Sequence, residues 1–115
     1  MTVVLLSGDL TVLSRVEGAA ARLGQAIRSA SGESQAVELC QGDDVNTLIV
    51  DLSMPSLDAA SLLNQLKASE GSGTRVVAFG PHVHEQRLAA AREAGCDLVV
   101  SRGQFFSQLE TILKG

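Results

Sequence analysis

The chain has 115 residues, an apolar share of 45%, and a net charge of −4 from nine basic and thirteen acidic side chains. That length suits one domain and leaves no room for a second, while the apolar share is enough to build a core. The acidic balance disfavours a grip on phosphate backbones, so nucleic acid is not an expected partner. The apolar runs, such as Val3 to Leu6, are far too short to span a bilayer. With three Phe and no Tyr or Trp, the core must be aliphatic.

Thr2–Leu6 is β-branched and continuously apolar, as expected of a strand buried on both faces. After Ser7-Gly8-Asp9, the residues Val12, Val16, Ala20, Leu23 and Ile27 recur at helical spacing, with an end expected near Gly24. Residues 25–30 have the mixed polarity of an edge strand. A short helix holding Ala36, Val37, Leu39 and Cys40 follows Ser31-Gly32 and breaks at Gly42-Asp43-Asp44. Thr47–Asp51 reads as a third strand. Pro55 ends it, and Asp58 can cap a helix with Ala59, Leu62, Leu63 and Leu66 on one face.

Gly71-Ser72-Gly73 reads as a flexible loop before a fourth strand, Arg75–Phe79, which Gly80-Pro81 closes. Glu85–Ala94 is an Ala-rich helix with Gly95 as its cap. Residues 97–101 form a fifth strand, and a final helix carries Phe105, Leu109, Ile112 and Leu113. Strands alternating with helices imply βαβ units. The expected fold is α/β and flavodoxin-like, a doubly wound (βα)₅ domain over 1–115 with a five-stranded parallel sheet in the order 2-1-3-4-5. In such sheets function gathers at the carboxyl ends of the strands, here Ser7-Gly8-Asp9, Asp51, Gly80 and Ser101-Arg102.

The segment Asp51-Leu52-Ser53-Met54-Pro55-Ser56-Leu57-Asp58-Ala59 resembles the phosphoacceptor signature of CheY-like response-regulator receiver domains, departing only at Ala59, where the family has Gly. Ala94-Gly95-Cys96-Asp97 is similar to the family's turn before the fifth strand. The resemblance covers essentially the whole chain and implies five roles in two-component signalling. Asp51 matches the carboxylate that accepts a phosphoryl group. The family's pair of Mg²⁺-holding acids falls on Ser7 and Gly8, leaving Asp9, one residue late, as a doubtful metal ligand beside Asp51. The hydroxyl of the fourth strand falls on Gly80. The Lys of the fifth strand falls on Arg102, whose planar fork differs from an ammonium. The aromatic reporter falls on Val99.

The resemblance therefore implies a degenerate pocket with at most weak Mg²⁺ binding, no other cofactor and no catalysis. Asp51 is expected to be a retained structural carboxylate, hydrogen-bonded to loop N–H groups or paired with Arg102. Asp9 is expected to cap the first helix. His82-Val83-His84 with Glu85 has the residues for a metal, but reads as a solvated loop opening the fourth helix. Cys40 and Cys96 lack metal or redox spacing and read as free thiols. Met54 reads as a gap-filling core residue. Phe105 and Phe106 point about 100° apart on a helix, so one is expected in the core and the other exposed beside the Ala-rich fourth helix, at Ala90 and Ala91. In receivers that face, made of helix 4, strand 5 and helix 5, mediates pairing, so a homodimer or partner contact is expected there.

The expected function is a phosphorylation-independent protein-interaction module of a bacterial signalling pathway. One alternative is a genuine Asp51 phosphoacceptor with a rearranged pocket. Another is a flavodoxin-like small-ligand-binding domain, against which stands the lack of a phosphate-cradling loop after the first strand. No leader pattern opens the chain, so a cytoplasmic setting is expected. Met1 and the closing Lys114-Gly115 are read as the natural ends of the domain.

Overall fold

Alternation of side chains across a strand decides where each residue of β1 (Thr2–Leu6) goes. Val3 and Leu5 enter one apolar cluster and Val4 and Leu6 the other, so the strand is buried on both faces. The computed structural model describes residues 1–69 and 73–115; of the loop expected at Gly71-Ser72-Gly73, the first two residues lie outside the described ones. Five parallel strands run in the order β2-β1-β3-β4-β5, the flavodoxin-like arrangement expected from the sequence. They are β1, β2 (Ala26–Ala30), β3 (Val45–Asp51), β4 (Arg75–Gly80) and β5 (Leu98–Ser101).

The helices are α1 (Leu10–Arg22), α2 (Glu33–Leu39), α3 (Ala59–Lys67), α4 (Glu85–Ala94), α5 (Arg102–Ser107) and α6 (Leu109–Lys114). On one side of the sheet α2, α3 and α4 bury an aliphatic layer that includes Leu48, Val50, Leu62, Leu66 and Ala91. On the other, α1, α5 and α6 bury Val12, Val16, Ile49, Phe79, Phe105 and Leu113. Helix ends follow local chemistry. Asp9 accepts from the Thr11 and Val12 N–H groups, and Asp58 accepts from the Ser61 N–H. Gly95 ends α4 at a φ of 103°, a left-handed conformation that glycine adopts without a Cβ penalty.

The chain leaves the first helix at Leu23 and turns at Gly24 with a φ of 69°, so Ile27 falls in β2, within the strand expected over 25–30. One expectation changes. The single final helix divides at Gln108. There the backbone leaves helical geometry at a φ of −117° and a ψ of 18°, while the Gln104 carbonyl accepts from both the Gln108 N–H at 3.0 Å and the Ser107 hydroxyl at 3.1 Å. Among the described residues no helix is long and apolar enough to cross a membrane.

Candidate functional site

The sheet order puts the ends of β1 and β3 side by side, with Leu6 opposite Val50, so Ser7 and Asp51 lie next to each other beyond that pair. Asp51 is 1% exposed. A carboxylate so buried needs donors, and it has three. Ser7 Oγ donates to Oδ2 at 2.7 Å, and Ser53 donates to Oδ1 from its N–H at 3.0 Å and its hydroxyl at 2.6 Å. The N–H bond from two residues on is an Asx turn, which the Asp-x-Ser spacing could have signalled. Loop N–H donation to Asp51 was one of the two expected arrangements and comes from Ser53; the hydroxyl bonds of Ser7 and Ser53 were missed.

The expected pairing of Asp51 with Arg102 does not form. Arg102 instead bonds Asp9 Oδ2 at 3.2 Å and lies 5.2 Å from the centroid of the Phe106 ring. Asp51 already has donors on both oxygens, whereas Asp9 uses Oδ1 for the helix cap and leaves Oδ2 for the guanidinium. The Thr11 N–H pulls the Asp9 carboxyl below its ordinary 3.8, opposed by desolvation and aided by Val12 and Arg102. Ser7 Oγ also accepts from the Asp9 N–H at 3.1 Å, so one hydroxyl ties the two loops together.

Mg²⁺ requires a near-octahedral set of oxygen ligands at short range. Of the candidate ligands, Asp51 and Asp9 have every carboxylate oxygen committed to a donor, and Ser7 gives its proton to Asp51. Gly8 has no side chain to offer. Among the described residues no group of three His, Cys, Asp or Glu side chains could hold a metal ion. This donor set does not fit Mg²⁺. His82 and His84 are both exposed at the entry to α4.

At the end of β4, a Cβ on Gly80 would stand 3.2 Å from Leu52 Cβ, so a side chain there would press on an aliphatic neighbour that would have to give by a few tenths of an ångström. Val99 is half-buried and packs in the aliphatic layer on the α4 side. Arg87, which sequence reasoning did not single out, donates to the carbonyls of Leu52, Met54 and Pro55. Nothing in the sequence signals this contact, because it joins residues more than thirty positions apart. Met54 is partly buried against the core. Cys40 and Cys96 are free, and burial pushes each thiol up to about 11.

The surface expected for pairing is also rearranged. Phe105 is fully buried, stacked on Phe79 with centroids 4.1 Å apart and planes 8° from parallel. Ala91 is buried as well, because it faces the sheet from α4. Phe106 is half-buried and turned toward α1, where the Arg15 guanidinium lies 4.1 Å from its centroid. Of the four residues named, only Ala90 is exposed on α4.

A sheet of this order, with Asp51 at its central carboxyl end, defines a receiver-type domain. The family model of the response regulator receiver domain matches residues 3–114. The chain therefore belongs to the response regulator receiver domain family of two-component signalling. It is 31% identical over 71 residues to the nitrate/nitrite response regulator protein NarL of Escherichia coli, a match over 62% of this chain and 32% of that protein. It is 29% identical over 77 residues to the sensory/regulatory protein RpfC of Xanthomonas campestris pv. campestris, over 64% of this chain and 11% of that one. The chain thus spans about a third or less of these curated relatives. Among solved structures, the receiver domain of sensor histidine kinase PA1611 from Pseudomonas aeruginosa superposes with a TM-score of 0.81 at 18% identity, covering 98% of this chain and 93% of that one. That structure has a magnesium ion coordinated in its active site cleft.

Proposed function

We propose that residues 1–115 act as one receiver domain that binds a protein of a signalling pathway without phosphorylation at Asp51. The observation that carries this reading is the closed state of Asp51. Both oxygens of a nearly fully buried carboxylate accept from the side chains or N–H of Ser7 and Ser53. A nucleophile must present a lone pair to the incoming phosphorus, and a dianionic donor needs its charge offset on approach. Here three donors, the hydroxyls of Ser7 and Ser53 and the Ser53 N–H, already hold the two carboxylate oxygens. The cation at the position of the family's Lys is held by Asp9. In this reading the domain needs neither Mg²⁺ nor another cofactor, carries out no catalysis and works in the cytoplasm. A signalling protein is the partner class we favour over a second copy of the chain, since Phe105 and Ala91 are interior and Phe106 is turned toward α1.

Incubation with a small acyl phosphate and Mg²⁺, followed by mass measurement of the intact chain, tests the reading. No phosphoryl increment is expected. A stoichiometric increment that Asp51→Asn abolishes would establish the alternative, a working phosphoacceptor with a rearranged pocket, and would end this one.

A further inference from the structure

The β3–α3 loop presents three carbonyls, those of Leu52, Met54 and Pro55, toward α4, and all three accept from one guanidinium, Arg87. Such a planar fork carries five donors spread in fixed directions, so it can reach several separated acceptors at once, whereas a Lys presents three donors from a single point. At the other side of the same loop, the Leu52 N–H donates to the Phe79 carbonyl at 2.8 Å, and the buried Leu52 side chain lies over Gly80. A Cβ at position 80 would meet Leu52 Cβ at 3.2 Å and Leu88 Cδ2 at 3.8 Å. Real Cβ atoms seldom approach so closely, so Leu52 can occupy this place undisturbed only because residue 80 is glycine.

We propose that Arg87 and Gly80 are the two halves of one lock: Arg87 draws the β3–α3 loop onto α4, and Gly80 leaves the room that the drawn-in Leu52 fills. Arg87 is a positioning residue in this device, since it acts on the loop beside Asp51 and not on Asp51 itself. The lock makes the loop and the start of α4 a single unit. It also accounts for the missing hydroxyl at the end of β4, whose place the locked loop occupies. The inference goes beyond the proposed function and does not depend on it, because a phosphorylatable Asp51 could sit beside a locked or an unlocked loop.

Amide hydrogen exchange of the full chain tests the lock, and it reads a different quantity from the mass measurement. Arg87→Ala should speed exchange at the Leu52, Met54 and Leu57 amides by roughly tenfold or more, while the β1 amides keep their protection. Arg87→Lys should restore part of it, since an ammonium can still reach one carbonyl. Gly80→Ala should speed exchange at the same amides, and should do so less when Arg87 is already Ala, because the loop is then free to yield. Unchanged loop exchange in Arg87→Ala would overturn the proposal. So would strictly additive effects of the two substitutions, or an acceleration as large in β1 as in the loop.

Discussion

The carboxyl ends of β1 and β3 are held together by directional hydrogen bonds, whereas the end of β4 is held by packing. At the first, Ser7 and Ser53 surround a buried carboxylate and give it donors. At the second, Gly80 accepts the close approach of Leu52, and Phe79 immediately before it stacks on Phe105. In a domain built to take up a phosphoryl group, both ends would have to leave space and free valence for the incoming oxygens. Here hydrogen bonds hold the carboxylate at one end and aliphatic packing crowds Gly80 at the other, so two different kinds of force shape the neighbouring strand ends.

Substitutions can separate the two. Phe79→Ala removes the largest buried side chain beside the packed end and should destabilise the domain by about 3–5 kcal/mol, measured by urea unfolding. A loss well below that would mean that Phe105 and Phe106 collapse into the gap. Ser7→Ala takes one donor from a buried carboxylate and should cost about 1.5–3 kcal/mol by the same measurement. If the loss is negligible, water serves Asp51 equally well and the hydrogen-bonded end is looser than its geometry.

Arg102→Ala should cost less than about 1 kcal/mol, because both partners of the Arg102–Asp9 pair are more than a third exposed, with side chains at 35% and 38%. A larger loss, insensitive to salt, would show that Arg102 matters through its contact with Phe106. The smallest effect concerns acid. The Asp9 carboxyl is depressed in the folded state, so its contribution is present above 3.8 and is lost as pH falls through the lower folded value. The stability gap between the wild type and Asp9→Asn should accordingly close in acid, and a gap independent of pH would leave the cap and not the charge as its source.

Much of the fold was legible because it rests on short-range chemistry. The continuous apolar run of Thr2–Leu6, the caps at Asp9, Asp58 and Gly95, and the Ala-rich Glu85–Ala94 each state their own local structure. The division at Gln108 was not legible, since Phe105, Leu109, Ile112 and Leu113 keep helical spacing across it. In the site, the place of Asp51 could be read from its neighbours in the chain, and that of Gly80 from the end of the apolar run of β4.

The sequence by itself determined the order of strands and helices, the residues gathered at their carboxyl ends and the family to which they belong. These follow from periodicity, caps and a contiguous motif, all of which operate within a few residues. Only the tertiary structure decided the partners. It gave Asp51 to Ser7 and Ser53, Arg102 to Asp9, Phe105 to Phe79 and Arg87 to the β3–α3 loop. Each pairing except Ser53 joins residues distant in the chain, and each is a competition among several donors or surfaces for one neighbour. Such a competition is settled by distance and burial, and a linear sequence carries neither.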